Sequence, residues 1–282
     1  MTMTDPLATP HEAATAPDAG AGTSGLRKVA RALLPPIVSD ALGALRGRLR
    51  AARQSAPPVP YDPASNPLQG SDLAGRYLYY GNLYPGEPQY LIDKFVGLAL
   101  YPASAKDIAH NAYDPLPCKD NSIPKIQSQD VFEHLAYDKL PGVLDEIYRV
   151  LTPGGVFRLS MPDYRSPLMV RRSVYDEHGA VIADLMCGGA VVYDDAGEQR
   201  RVVFTQDGNA HVWFPLYESV RKLIAASALR HCGSVTFHHY FENAERYVCN
   251  PFADNGMFVS RAPPHDMRAG GKPVSIIVDF VK

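Results

Sequence analysis

Residues 114–164 read DPLPCKDNSIPKIQSQDVFEHLAYDKLPGVLDEIYRVLTPGGVFRLSMPDY. This stretch predicts a short strand at Ile123–Ser128, a helix that ends at Leu151, and a second strand at Val156–Met161. A strand, a helix and a strand in this order favour a βαβ unit of a parallel sheet. A helix packed on an antiparallel sheet is the alternative.

The helix is predicted from its apolar spacing. Its apolar residues recur three or four positions apart and make one stripe: Leu140, Val143, Leu144, Ile147, Val150 and Leu151. Pro141 falls in the first turn, where its missing N–H matters least. Pro153, followed by two glycines, ends the helix and lets the chain return to the sheet.

Polar residues follow both predicted strands. Gln129 and Asp130 come where the first strand ends, and Glu133-His134 follow directly. Ligands of open parallel sheets bind outside the carboxyl ends of the strands. Asp130 is therefore the first candidate for a catalytic base, and His134 is the second because imidazole titrates near neutrality. The alternative role for Glu133-His134 is to hold the entry to the following helix.

The segment from Pro115 to Asp163 carries LP-x-x-DNSI, DVFEHL, LDEIYRVLTPGG and MPD. It resembles the second half of class I S-adenosylmethionine-dependent methyltransferases, closest to the broad bacterial group labelled type 11. The resemblance implies an α/β, Rossmann-like sheet, mostly parallel with an antiparallel last strand. It also implies S-adenosylmethionine as the cofactor.

The same resemblance implies where the cofactor is held. A first strand and a glycine loop would lie in Arg76–Gly86, a second strand in Tyr90–Asp93, and a third in Asp107–His110. Leu83 stands where the family's second loop glycine belongs, and Asp93 matches the acid that accepts hydrogen bonds from the ribose. The implied cofactor-binding residues are Tyr80, Gly81, Asn82, Asp93, Asn111, Ala112 and Gln129.

The C-terminal part predicts a helix at 214–229 and strands at 234–241 and 273–281. Two stretches, about 165–212 and 242–272, are too long for ordinary connections, and in the family such insertions form a substrate lid. The first should contain a hairpin, 190–204, that turns at 195–197. His211 and Trp213 within or beside this lid either line a substrate pocket or simply pack.

Composition limits the partners and the metal chemistry. A net charge of −2 gives no basic excess for nucleic-acid binding. The four cysteines are scattered with no C-x-x-C pair, and His238-His239 has no carboxylate at ligand spacing, so we expect no metal site. No apolar run is long enough to span a membrane.

The first part of the chain differs from the rest. Residues 1–25 are rich in Ala, Thr, Pro and Gly and are expected to be disordered. Residues 26–53 carry seven Lys/Arg and predict a basic amphipathic helix, either in peripheral contact with an anionic membrane or as a solvated or partner-docking arm. Residues 54–70 are a Pro-rich linker to a methyltransferase-like domain at 71–282, expected in the cytoplasm.

These features together predict an S-adenosylmethionine-dependent methyltransferase that acts on a small-molecule or saccharide acceptor. The alternative is a catalytically inactive methyltransferase-like protein that serves as a binding or scaffold module, which the altered glycine loop favours. A nicotinamide-dependent oxidoreductase is disfavoured because the chain lacks G-x-G-x-x-G.

Overall fold

The computed structural model describes residue 62 and residues 65–193, 199–204 and 209–282. The predicted segments 1–25 and 26–53, most of the linker and the predicted hairpin turn 195–197 lie outside these residues. No helix in the described part of the chain is both long and apolar enough to cross a bilayer.

One sheet of eight strands organises the described chain. Its strands are β1 (Tyr77–Tyr80), β2 (Phe95–Ala99), β3 (Asp107–Ala109), β4 (Ile123–Gln129), β5 (Leu151–Pro162), β10 (Ser234–Phe241), β11 (Tyr247–Cys249) and β12 (Ser275–Val281). Two small antiparallel pairs are separate from it: β6 (Ser173–Tyr175) with β7 (Val181–Asp184), and β8 (Gly189–Tyr193) with β9 (Gln199–Phe204). The spatial order of the large sheet is β11-β10-β12-β5-β4-β1-β2-β3.

Within the described residues, three α-helices and four 3₁₀ turns accompany the strands. The helices are α1 (Leu140–Val150), α2 (Pro167–Val170) and α3 (Tyr217–Ala226). The 3₁₀ turns are Pro88–Leu91, Phe132–His134, Tyr137–Lys139 and Ala228–His231. The apolar stripe predicted for α1 is buried from Leu140 to Val150, so the helix forms because that stripe covers the sheet.

The predicted βαβ unit is confirmed. β4 pairs with β5 in parallel, and β12 runs antiparallel to β5, as expected for the last strand of the family's sheet. β5 begins at Leu151, earlier than predicted, because Leu151 pairs with Ile123 before the register shifts to Val156 opposite Lys125. The predicted hairpin is also present as the antiparallel pair β8–β9. The fold is the Rossmann-like sheet that the sequence predicted.

The predicted second strand is wrong. Residues 90 and 91 belong to a 3₁₀ turn, and β2 runs instead over Phe95–Ala99, all of which is buried. The connection from β1 to β2 therefore contains one short turn where the family has a crossover helix. Gly97 in β2 is needed for packing, since a Cβ there would lie 2.1 Å from Oδ1 of Asp107.

The two faces of the large sheet are covered differently. α1, α3 and the Ala228–His231 turn cover one face with an apolar core that includes Leu78, Ile126 and Phe157. We call this the helical face. The opposite face, which we call the polar face, carries Gln127 and Arg158 and is covered by the Pro88–Leu91 turn and by chain from the 250–262 region.

Candidate functional site

The point where the strand order reverses lies between β1 and β4. The chain goes outward from β1 to β2 and β3, then returns to place β4 on the other side of β1. Ligands of open α/β sheets bind at the carboxyl ends of the strands at such a reversal. Gly81 and Asp130 are the residues that directly follow these two strands.

Asp130 is held in an unusual conformation at this edge. Its φ is +52°, in the left-handed region, while its backbone N–H donates to the Ser160 carbonyl at 3.1 Å. Its Oδ2 lies 3.0 Å from Nε of Arg261, and its buried Oδ1 has no hydrogen-bond partner among the described residues. Burial raises the pKa of Asp130, and Arg261 opposes that rise. Backbone strain together with a free buried carboxylate oxygen is typical of a functional position.

An open hollow lies beside this ion pair. Its volume is about 560 Å³, and it is lined by Ser260, Arg261, His265, Asp266, Met267 and Arg268. Arg268 forms an ion pair with Asp266 at 2.6 Å, which fixes one wall. Because Arg261 contacts both the hollow and Asp130, the hollow extends the carboxyl edge of β4.

His134 lies in a second, more buried cluster. Nδ1 of His134 is 3.0 Å from the Ala210 carbonyl, and its ring meets the His211 ring edge-on at 4.7 Å. Burial lowers the pKa of His134. Glu133 is fully buried beside them, so His134 lies among buried groups. Its predicted role as a base remains a prediction.

Two predicted cofactor contacts are placed elsewhere by the structure. Tyr80 is 1% exposed and packs edge-on against Phe132 on the helical face, so it belongs to the core. Asp93 precedes β2 and its side chain is fully exposed, with Nζ of Lys106 at 3.5 Å. Asp93 therefore lies at the amino end of β2, opposite to the edge where the ribose would lie, and its assignment to a strand end is wrong.

The loop after β1 does not form the family's open cradle. Gly81 has φ +105° and donates its N–H to Leu98 in β2. Asn82 then binds the loop after β2, donating to the Tyr101 carbonyl at 3.2 Å and accepting from the Ala103 N–H at 2.9 Å. Leu83 is 1% exposed and packs in a small cluster on the polar face. In this loop, the Asn82 side chain and Leu83 thus make contacts within the protein.

The three other predicted residues do lie at carboxyl ends of strands. Asn111 and Ala112 follow β3, where the Asn111 side chain accepts the Tyr113 N–H at 3.1 Å. Gln129 ends β4, and its side chain accepts the Ser260 N–H at 3.0 Å and donates to the Tyr79 hydroxyl at 3.3 Å. Both polar side chains are engaged within the protein. Their role in cofactor binding stays a prediction.

Sequence reasoning missed Arg261. It lies 131 positions after Asp130, in a stretch without helix or strand, and no local pattern links the two residues. The only signal was the length of the 242–272 insertion, which indicated a segment that reaches the active edge.

The sequence model of a methyltransferase domain matches residues 94–159. These residues span β2, β3, β4 and most of β5 and include Asp130. No curated protein matches the chain.

Several solved structures resemble the chain at low identity. A S-adenosylmethionine-dependent methyltransferase from Methanosarcina mazei is 14% identical, with 79% of this chain and 97% of that chain covered and a TM-score of 0.38. A second, from Mesorhizobium loti, is 10% identical, with 75% and 93% covered and a TM-score of 0.37. The Burkholderia thailandensis 1,6-didemethyltoxoflavin-N1-methyltransferase, solved with S-adenosylhomocysteine, is 13% identical, with 89% and 91% covered and a TM-score of 0.34.

The strand order with its antiparallel last strand defines a class I methyltransferase fold. The sequence match covers less than half of the chain and shows that residues 94–159 resemble a methyltransferase domain. This confirms the predicted fold, while the family, the methyl-transfer activity and S-adenosylmethionine as the cofactor stay predictions.

Proposed function

We propose that this chain transfers a methyl group from S-adenosylmethionine to a small-molecule or saccharide acceptor, at the edge formed by Asp130, Arg261 and the adjoining hollow. The observation that carries this is Asp130 itself. It follows β4 at the reversal point, with a strained backbone and an unpartnered carboxylate oxygen. The alternative of an inactive scaffold is not supported by the family match.

The cofactor would supply the activated methyl group when bound. Asp130 would accept the proton from the acceptor's hydroxyl or amine through Oδ1, which has no hydrogen-bond partner among the described residues. Arg261 fixes the other carboxylate oxygen and so orients the base. Holding the acceptor and the sulfonium in line would supply on the order of 7 kcal/mol or more.

The hollow favours a polar acceptor. Two arginines, His265 and Asp266 offer donors and acceptors along its walls. Hydroxyl-rich or acidic small molecules match these groups, since guanidinium binds oxygen acceptors in a fixed fork. A saccharide is one member of that class.

Asp130→Asn is the direct test of the base. Asn tolerates the left-handed backbone at this position, so the fold should persist. We expect methyl transfer, followed as S-adenosylhomocysteine formation with a panel of sugars, phenols and amines, to fall about 10²- to 10⁴-fold. Asp138→Asn removes the same charge from an exposed site and should leave the rate unchanged. Equal rates for Asp130→Asn and native protein would exclude Asp130 as the base.

Cofactor affinity tests the activity separately. Because the adenosine cradle is altered, we expect the native chain to bind S-adenosylmethionine weakly, with a Kd between micromolar and millimolar by isothermal titration. If the folded chain does not bind S-adenosylmethionine even at millimolar concentration, the proposed transfer is contradicted. The alternative of an inactive scaffold would then be favoured.

We also propose that residues 26–53 let the protein contact an anionic membrane surface from the cytoplasm. Seven Lys/Arg in this segment supply the charge. Full-length protein should sediment with phosphatidylserine-containing vesicles and not with phosphatidylcholine vesicles, and high salt should release it. Equal sedimentation with both vesicle types would contradict this contact.

A further inference from the structure

A buried cluster lies beside the proposed methyl-transfer site and contains His134, the second candidate base. It combines Glu133 and His134, from the turn after β4, with His211 from the end of the first lid insertion. Glu133 and His211 are buried, at 0% and 3% exposure, and His134 is partly buried. One ligand atom from each of these three residues lies within 4.8 Å of the other two.

Hydrogen bonds at Nδ1 orient both imidazole rings and leave Nε2 of each ring without a proton. Nδ1 of His134 faces the Ala210 carbonyl at 3.0 Å. A carbonyl only accepts, so Nδ1 carries the proton and Nε2 of His134 keeps its lone pair. A histidine held in this way by a backbone carbonyl is prepared to bind a metal ion.

His211 is oriented by a longer chain of groups. The Tyr164 hydroxyl lies 2.6 Å from Oδ2 of Asp184 and 2.5 Å from Nδ1 of His211. Nε of Arg172 lies 2.7 Å from the same Oδ2, which favours the ionised carboxylate, so the phenol donates to Asp184. Nδ1–H of His211 then donates to the phenol oxygen. Nε2 of His211 is left bare and lies 3.7 Å from Oε1 of Glu133.

The buried carboxylate of Glu133 gives a second, independent argument for a ligand here. Its side chain is fully buried, and neither carboxylate oxygen has a hydrogen-bond partner among the described residues. A buried carboxylate without partners is strongly unfavourable, and such groups are normally paired or bound to a metal ion. The carboxylate faces the bare nitrogen of His211, where a cation would satisfy both.

We propose that Glu133, His134 and His211 bind one divalent transition-metal ion, through a carboxylate and two imidazole Nε2 atoms. Two histidines and one carboxylate are a common ligand set for Zn²⁺ and for Fe²⁺. With metal–ligand distances of about 2.0–2.2 Å, tetrahedral ligand atoms lie about 3.4 Å apart, close to the observed 3.7 Å between Oε1 and Nε2. The site departs from the expectation, drawn from sequence, of no metal.

A second grouping, Asp184, Cys187 and His211, is also close enough for a metal ion. In that arrangement His211 would have to offer Nδ1, which already contacts the Tyr164 hydroxyl. Oδ2 of Asp184 already contacts the Tyr164 hydroxyl and Nε of Arg172. We therefore assign Asp184 and Tyr164 as positioning residues for His211, and Cys187 as a bystander.

The test uses the full chain, stripped of metal with a chelator and titrated with Zn²⁺ by calorimetry. We expect one equivalent to bind and the Tm to rise with metal concentration. Co²⁺ in place of Zn²⁺ should give visible absorption bands of a bound ion. Failure of the folded, stripped chain to bind either ion would overturn the proposal.

Substitutions then identify the ligands. Glu133→Gln and His134→Gln should each weaken Zn²⁺ binding about 100-fold or more. His178→Gln makes the same change at an exposed histidine and should have no effect. Cys187→Ser should also leave binding unchanged, and a large loss there would overturn this ligand set. Native affinity in both Glu133→Gln and His134→Gln would overturn it as well. Circular dichroism confirms that each variant is folded, and methyl transfer is not needed as a readout.

Discussion

The two faces of the large sheet are stabilised by different chemistry. On the helical face, Phe157 is fully buried among apolar side chains from α1 and α3. On the polar face, the adjacent Arg158 is equally buried, but it makes five hydrogen bonds: two to the Asp279 carboxylate and three to the carbonyls of residues 253, 254 and 257. One face is therefore held by apolar packing and the other by a network of polar side chains and backbone groups.

The difference follows from the irregular chain that covers the polar face. The chain around 253–260 has no regular structure, and its backbone groups need partners that a helix would provide internally. Arg158 and Gln127 supply them: the Gln127 amide donates to the Phe258 carbonyl at 2.7 Å while its oxygen accepts from Gln89 at 2.9 Å. The polar residues in β4 and β5 are thus required by the irregular cover.

The largest expected effect comes from Arg158→Met. It leaves the Asp279 carboxylate and three carbonyls without their donor, and breaking a buried charge pair of this kind costs roughly 3–5 kcal/mol. Phe157→Leu, one position away on the helical face, should cost about 1–2 kcal/mol because the core stays apolar. Urea unfolding followed by circular dichroism measures both.

A smaller loss for Arg158→Met than for Phe157→Leu would show that the polar network contributes little. Apolar packing would then be the main source of stability on both faces.

The helical face is also the part that the sequence predicted well. The apolar repeat of α1 and the run of β5 are local signals, and both elements are present, although β5 begins earlier than predicted. The predicted second strand ended at Asp93, the acid that the resemblance implies. The buried run FVGLA, which forms β2, begins two residues after Asp93. The Arg158–Met257 contact in the cover of the polar face joins residues 99 positions apart, and the Arg261–Asp130 pair joins residues 131 positions apart. No periodicity records such contacts, so much of the candidate site could not be predicted.

Leu83→Ala tests the small apolar cluster within the polar face. Leu83 stands where the family has a loop glycine, yet it is buried with Tyr79, Phe95 and Met257. We expect the variant to lose roughly 2–4 kcal/mol of unfolding free energy, as for other buried leucines. Leu91→Ala removes the same atoms from a side chain that is 80% exposed and should change stability little. Full stability of Leu83→Ala would mean that the loop is free to open for a ligand.

A pH effect should follow from His239, also on the polar face. Its Nε2 lies 3.1 Å from the Asn250 carbonyl, and burial lowers the pKa of His239 to about 4. Since the folded pKa is below the unfolded value of about 6.5, this group's contribution to stability is present above pH 6.5. That contribution is lost as the pH falls towards 4.

The measurement compares unfolding free energies at pH 7 and pH 5. The native chain should lose on the order of 1 kcal/mol more than His239→Gln over this interval, less than the full pKa difference because the charge stays partly solvated. His178→Gln, at an exposed histidine, should follow the native pH dependence. Parallel curves for native protein and His239→Gln would assign the pH effect to other groups.

The smallest expected effect belongs to Asp93→Ala. This variant compares two positions for Asp93: beside the ribose, as the resemblance implies, or in solvent, as in the structure. If Asp93 held the ribose, its loss would weaken S-adenosylmethionine binding by about one to two orders of magnitude. The structure instead places its carboxylate in solvent before β2, with Lys106 at 3.5 Å as its ion-pair partner. An exposed pair of this kind contributes little, so we expect no measurable change in cofactor affinity by titration or in Tm. Lys106→Met should leave affinity equally unchanged, although its Nζ also binds the Tyr90 carbonyl. A tenfold loss of affinity in Asp93→Ala alone would show that the cofactor reaches the amino end of β2 and that the ligand edge lies elsewhere than beside Asp130.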